Sequence, residues 1–399
     1  MKSSFYLFLL WILLYLLCIS NPLAAFASNI EIQIPDNDPA RQVNIFVGTT
    51  DGGNTTPAAH APFGMVSFGP TSVFDETDIY NSRSGYDNAK GAIANFSLTH
   101  VSGWGCHGAL DIPFMPFTGQ IDRNPIHYPN DYASQFSHEN ESAEPGYYQV
   151  LLDGIDTHIE GAVSERSAVV SINYPEGDSQ QLLFMPPNCA NGTTASNISI
   201  NTSKNEISGY ATSGGFCSRD PRKYDYTVYF SASFNKNITD FGGWDKNSRL
   251  KKTATFSGDS TAGFLSFGAS KGSPLIMKVA ISFVSVENAR LNLNKEVAKK
   301  GLQTVRKETT ELWNTGLSKM SVETSDSDMK SQLYTALYHN MLHPNIFDDV
   351  NGEYRGFNDS VYVVEEGRHK YVNFSNWDTY RTTAQLQGLG VDILLWTGS

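Results

Sequence analysis

Between about residue 40 and residue 283 apolar positions alternate with polar ones or form short unbroken runs, and Gly, Asn, Asp and Pro punctuate them. YYQVLLD (147–153), THIEGAV (157–163), AVVSINY (168–174), LLFMP (182–186), YTVYFSASF (226–234), GFLSFGA (263–269) and LIMKVAISFV (275–284) all read as strands. With no helical periodicity between them, they predict a large antiparallel β-sandwich over 40–284. The period then changes. From about Glu287 to Trp313, Leu293, Val297, Leu302, Val305 and Leu312 recur at spacings close to one helical face, which predicts a helical linker over 285–323. A further helix is expected from a cap at Ser325 or Ser327, with an apolar stripe of Met329, Leu333, Ala336, Leu337 and Met341 and a stop at Pro344. Asn351-Gly352 signals a hairpin or a tight turn, and 379–389 reads as the opening of another helix.

Two amphipathic helices cannot bury their own stripes, so the helical domain beginning at 324 is expected to be incomplete at residue 399. The N-terminus reads differently from all of this. Lys2, the apolar run Phe5 to Ile19, and Ala25-Phe26-Ala27 before Ser28 form a cleavable leader over 1–27, expected to send the chain out of the cell or into a periplasm without stable membrane insertion.

Composition narrows the classes further. The chain carries a formal charge of −12 and no extended Lys/Arg cluster, which argues against a nucleic-acid partner. Outside the leader the cysteines are Cys106, Cys189 and Cys217, widely spaced, so no zinc motif or disulfide framework is expected and at most one bridge with one free thiol. Asn-X-Ser/Thr sequons at Asn54, Asn95, Asn140, Asn191, Asn197, Asn201, Asn237, Asn358 and Asn373 suit either glycan attachment or chance in an Asn/Ser/Thr-rich chain.

The candidate chemistry lies in three places. In FSNWDTYR (374–381), Trp377 can stack on a pyranose face, Asp378 can accept from neighbouring hydroxyls and Arg381 can donate with a planar fork. The same residues equally suit a core tryptophan beside an i, i+3 ion pair. In the loop 99–117, Gly103 and Gly105 free the backbone around Trp104, with His100 and His107 as possible donors or as structural residues. In TSGGFCSR (212–219), Phe216 and Cys217 follow flexible glycines. Carboxylates that could work in pairs are Glu139, Glu141 and Glu144, Asp348 with Asp349, and Glu365 with Glu366, all in polar contexts that read as solvated surface.

VNIFVGTTDGGNTTPAAHAPFGMVSFGP (43–70), SGYDNAKGAIANFSLTHVSGWGCHGALDIPFMP (84–116), FSHENESAEPGYYQVLLD (136–153), SGGFC (213–217), LYTALYHNMLHPNIFDDVNGEYRGF and FSNWDTYR together resemble glycoside hydrolase family 92, the calcium-dependent exo-acting α-mannosidases. The likeness runs in order over about 43 to 387. It implies a β-sandwich, a helical linker and the start of an (α/α)6 barrel, with the active site between sandwich and barrel. It also implies that Trp377, Asp378 and Arg381 line the pocket for a terminal mannose, that Trp104 faces the leaving sugar, and that Phe216 and Cys217 reach the same cleft.

The activity so implied is inverting, calcium-dependent release of mannose, of α-1,2 type, from N-glycans or mannan. Its acid, base and most calcium ligands are expected beyond Ser399, so none of the 399 residues is assigned a catalytic or metal-binding role. Where the family has a GGHGN-like glycine run after its first GT, this chain has GTTDGGNTTPAAHAPFG with His60 placed later, and after Gln387 the likeness dissolves into GLGVDILLWTGS, which reads as a truncated or frame-shifted end. The alternative is a sandwich module that binds carbohydrate or a protein partner without hydrolysis, or a nonfunctional fragment.

Overall fold

A computed structural model describes residues 38–73, 82–218, 220–245 and 248–390. The leader and the final nine residues lie outside it. No helix among the described residues is long and apolar enough to cross a membrane.

The first strands are short and broken by loops: β1 (Ala59–His60), β2 (Ser67–Ser72), β3 (Ala92–Ser97), β4 (Phe114–Phe117) and β5 (Ser134–Gln135). A meander follows, with β6 (Glu141–Glu144), β7 (Tyr147–Leu152), β8 (Thr157–Val163) and β9 (Ser167–Asn173). The remainder of the sandwich is β10 (Ser179–Phe184), β11 (Ala195–Asn201), β12 (Glu206–Ser213), β13 (Tyr226–Phe234), β14 (Asp240–Asp245), β15 (Ser248–Lys251), β16 (Thr255–Gly258), β17 (Ala262–Ala269) and β18 (Leu275–Ser282). They form two antiparallel sheets. One runs β1-β2-β3-β4-β10-β17-β14-β15, with β5 paired to β3; the other runs β16-β11-β12-β13-β18-β9-β8-β7-β6.

Period-two patterning does the packing. In β11, Ser196, Ile198 and Ile200 point inward while their neighbours are half-buried. Phe68, Phe96, Phe114 and Phe184 from the first sheet meet Phe230 of the second in a continuous buried file, with successive ring centroids 5.5 to 6.2 Å apart. β9 is buried on both faces because its outer face is covered too. Tyr147, Ala162, Val169 and Ala280 on that face bury Leu293, Val297, Leu302 and Val305 of the linker.

The linker is two helices, α1 (Val286–Glu296) capped by Ser285 and α2 (Leu302–Leu317) starting after Gly301. Within α2 the helical period that starts at Leu302 and Val305 falls next on Thr309, Trp313 and Leu317, so Leu312, expected inside, is exposed and Trp313 is buried instead. Helix α3 (Ser327–Asn340) is capped by Asp326, whose side chain accepts from the Asp328 and Met329 N–H groups, and not by either serine. Its buried side carries Tyr334, Thr335 and Tyr338, which pack against Trp313 and the segment around Ala40. Of the expected stripe, Met341 is buried, whereas Met329 and Ala336 face solvent. Polar anchors select that face: Thr335 Oγ1 accepts from the Asn44 N–H at 2.9 Å, and an aromatic pair outweighs a methionine edge.

Beyond α3 lie β19 (Asn345–Ile346) paired with β22 (Tyr371–Val372), the hairpin β20 (Glu353–Arg355) with β21 (Val361–Val363), α4 (Asn376–Thr379) and α5 (Thr383–Gly390). The predicted turn at Asn351-Gly352 opens the hairpin, with Gly352 at φ +80°.

The segment is fastened to the sandwich by buried charge, which overturns the reading of Asp348 and Asp349 as solvated surface. Arg166 donates to the Asp348 carbonyl at 2.6 Å and its carboxylate at 3.2 Å, and to Glu296 at 3.1 Å. Asp349 accepts from Ser282, Asn288 and Asn292. Burial pushes Asp348 up, but the His369 hydrogen bond, the Lys370 N–H and Arg166 outweigh it and hold the carboxyl below its ordinary value. Glu141 is likewise inside, accepting from Tyr86, Tyr148 and His138. None of these carboxylates is free for acid/base work. Asn95 is buried as well, out of reach of a glycan.

Candidate functional site

Where the sandwich meets the segment after α3, a cavity of about 400 Å³ opens. Its walls come from the β3–β4 connection, the β12–β13 connection, Phe283 beyond β18, and residues of the β19–β22 pair. Two unlike layers therefore share it.

Trp104 and Phe216 meet edge to face with centroids 4.9 Å apart, and Trp104 lies 5.3 Å from the His343 ring. Cys106 and Cys217 are joined by a disulfide, which ties the tryptophan loop to the Phe216 loop across 111 residues of sequence. Cys217, at φ +59°, does not itself line the cavity and is no thiol, its sulfur being committed to the bridge behind Phe216; among the described residues Cys189 is the free, buried one. His343 Nε2 accepts from the Ser102 N–H at 3.2 Å, which assigns the proton to Nδ1 and its bond to Asn345 Oδ1 at 2.8 Å. Asn345 also donates to Gly64 and Leu342 carbonyls and accepts from Asn373. That chain of bonds seals the junction behind the aromatic wall.

The histidines weighed as proton donors have other work. His100 binds the Ser84 carbonyl through Nδ1 and Ser97 through Nε2, and burial lowers it to about 4, so it is neutral and structural. His343 is also lowered to about 4 by burial. His107 Nε2 sits 2.7 Å from an Arg83 nitrogen and does not line the cavity.

Among the described residues one carboxylate does line it, and the sequence reading missed it. Asp111 is buried in the cavity wall, accepting from Thr99 Oγ1 at 2.7 Å and Tyr226 OH at 3.0 Å. Burial raises its pKa to about 6, against the opposing hydrogen bonds. Ala109, Leu110 and Ile112 around it all have positive φ, a conformation that costs a residue with a Cβ and that the surrounding ladder enforces. The available signal was an aspartate set between apolar residues in ALDIP.

Trp377, Asp378 and Arg381 do not line the cavity. Ser375 does, and α4, which begins just after it, carries Trp377 and Asp378 outward, with Arg381 beyond its end. The Trp377 side chain is 86 % exposed, Asp378 accepts from Ser375 Oγ at 2.6 Å, and Arg381 donates to the Tyr380 hydroxyl at 2.9 Å. A core tryptophan and an Asp378–Arg381 ion pair are both ruled out. Among the described residues, no three of His, Cys, Asp and Glu gather closely enough to hold a metal ion, so these side chains do not by themselves fit a calcium site.

Comparison with known proteins returns matches along most of the chain. The glycosyl hydrolase family 92 N-terminal domain matches residues 42–282, and the glycosyl hydrolase family 92 catalytic domain matches 288–391. The family GH92 α-mannosidase BT3965 from Bacteroides thetaiotaomicron superposes with a TM-score of 0.78 at 32 % identity, over 88 % of this chain and 47 % of its own. That enzyme has also been seen in complex with mannoimidazole. The GH92 glycosyl hydrolase ccman5 gives 0.78 at 27 % identity, over 86 % of this chain and 46 % of its own. A protein of Arthroderma benhamiae described as an uncharacterised secreted glycosidase is 24 % identical over 80 % of this chain and 43 % of its length. The chain thus spans less than half the length of these relatives.

Proposed function

The chain belongs to glycosyl hydrolase family 92, and we propose that it forms the sugar-clasping part of a secreted exo-α-mannosidase that acts on the terminal mannose of N-glycans or mannan. The observation that carries this is the cleft itself. An indole and a phenyl edge locked by a disulfide, with a buried carboxylate beside them, offer a stacking face and a hydroxyl acceptor within one small cavity. Asp111 and Tyr226 would orient hydroxyls, and Trp104 with Phe216 would hold the apolar face of the leaving sugar. Trp377, Asp378 and Arg381, just beyond Ser375, would close over the mouth from α4.

In this reading the reaction inverts the anomeric centre and depends on calcium, which would help bind the sugar but would need ligands other than the described side chains. No residue of this chain is assigned as acid or base, nor does any step here run through the ion. The leader over 1–27 supports secretion.

A second reading, binding without hydrolysis by these 399 residues, is favoured by the commitment of Asp348, Asp349 and Glu141 to protein donors. One experiment separates the two. An α-1,2-linked mannobiose, which carries a leaving sugar, should bind the chain and lose affinity in Trp104→Ala. Turnover of an aryl α-mannoside that is abolished by chelation and restored by calcium would establish hydrolysis, whereas binding without turnover would establish the second reading. Unchanged affinity in Trp104→Ala would refute the cleft.

A further inference from the structure

The sandwich has two ends, and only one carries the cleft. β12 reaches the cleft at Ser213, β13 leaves it at Tyr226 and β18 returns to it at Ser282, where Gly214, Tyr226 and Phe283 line the cavity. At the other end β11 turns into β12 between Asn201 and Glu206, β13 finishes at Phe234, and β7 turns into β8 between Leu152 and Thr157. The eight residues of β12, at about 3.4 Å each, hold the two ends about 24 Å apart.

Three Asn-X-Ser/Thr sequons stand at that far end: Asn201-Thr-Ser203 in the β11–β12 turn, Asn237-Ile-Thr239 just past β13, and Asn140-Glu-Ser142 beside the β7–β8 turn. Their amide nitrogens are spare. Asn201 Oδ1 accepts from Ser203 Oγ at 2.7 Å and from the Lys204 N–H at 3.1 Å, and Asn237 Oδ1 accepts from Asn205 Nδ2 at 3.0 Å, while neither Nδ2 donates to a described residue. Asn140 Nδ2 makes one bond, 3.4 Å to Asp153 Oδ1, which leaves its second hydrogen. Asn140 and Asn237 are exposed, and Asn201 is half-buried at the head of an exposed turn. An N-glycan replaces one hydrogen of this nitrogen, so it needs a hydrogen to spare and open space beyond it.

Other sequons lack one or both. Asn191 gives both hydrogens to the His107 and Gly214 carbonyls, on the two bridged loops of the cleft. Asn197 gives both to the Phe256 carbonyl and the Ser257 hydroxyl across the β11–β16 pair, and Asn95 is buried.

We propose that Asn140, Asn201 and Asn237 carry N-linked glycans that cap the end of the sandwich remote from the cleft. The proposal rests on the reading of 1–27 as a leader, here one for a eukaryotic secretory pathway. In the attachment, Nδ2 attacks the anomeric carbon of a lipid-linked diphospho-oligosaccharide. The C–N bond forms, the C–O bond to the lipid diphosphate breaks and its electron pair leaves with the diphosphate, and one amide proton is released. Glycans so placed leave the mouth of the cleft clear.

Peptide mass spectrometry of the chain recovered from the medium of the cells that make it, after N-glycan amidase treatment in heavy-oxygen water, tests the proposal. Asn140, Asn201 and Asn237 should appear as heavy aspartate, and Asn95, Asn191 and Asn197 as unchanged asparagine. Thr239→Ala should lose the glycan at Asn237, read as one lost mobility step, whereas Thr239→Ser, which keeps the sequon, should retain it. A secreted chain without its leader but bare at Asn140, Asn201 and Asn237 would overturn the proposal and leave the leader standing. A glycan at Asn191 or Asn197 in the folded chain would also overturn it. A chain held in the cell with 1–27 attached would sink the leader and the proposal together.

Discussion

Arg166→Met removes the guanidinium that holds the segment after α3 against the sandwich while keeping most of the side chain's volume. The arginine is buried, and its donors reach Asp348 twice and Glu296 once. Breaking such a buried pair costs about 3–5 kcal/mol because a charge is left without its partner. The lower end applies here. Asp348 keeps the His369 and Lys370 bonds, and Glu296 keeps Ser164 Oγ and the residue-166 N–H. Glu165 is more than a third exposed, so its share is screened and contributes at most about 1 kcal/mol.

The readout should be local. Phe347 N–H donates to the Lys370 carbonyl and Ile346 N–H to the Phe63 carbonyl, and both should exchange with deuterium roughly 10²-fold faster once about 3 kcal/mol of the opening free energy is lost. β13, central in its sheet, should be unaffected. Exchange mass spectrometry showing no acceleration at 346–347, or the same acceleration in β13, would refute the idea that Arg166 is the clasp.

Three other outcomes are expected. Trp313→Phe strands the buried His60 carbonyl, which now accepts from Nε1 at 2.6 Å, and should lower stability by about 1–3 kcal/mol in urea denaturation; a change near zero would mean the carbonyl finds another donor. Replacing both Cys106 and Cys217 by Ser opens a 111-residue loop and should cost about 2–5 kcal/mol in the same assay, with an unchanged midpoint counting against a stabilising bridge. The Asp348–His369 bond raises His369 and, with its other partners, lowers Asp348. The histidine's contribution is therefore complete below its unfolded value near 6.5 and fades as pH climbs through the higher folded one; the aspartate's is complete above about 3.9 and fades as pH falls through its lower folded value. His369→Gln should flatten the melting-temperature decline above about pH 6.5, and an identical decline in variant and wild type would disprove the linkage.

Much of the fold was legible because strand and helix periods are local. A half-buried strand must alternate, and a helix on a sheet must repeat near 3.6, so the sandwich, the linker and α3 all showed in the pattern. What local pattern could not show was which of several faces would win. Met329 and Leu333 are as apolar as Tyr334 and Tyr338, but only the tyrosine face meets Trp313. Trp104 and Phe216 stood out through their glycines, and the structure brings them together. Asp111 did not stand out, because a carboxylate's burial depends on Thr99 and Tyr226 and not on its neighbours in sequence.

By itself, the order of residues determined the architecture and the family, since periodicity and ordered motifs are properties of short segments. Tertiary structure alone decided the pairing of Cys106 with Cys217, the burial of Asp348 and Asp349, and the outward stance of Trp377. The reason is distance along the chain. Arg166 and Asp348 are 182 positions apart, and whether a charge is solvated or satisfied is settled only when folding brings such remote partners within hydrogen-bonding reach.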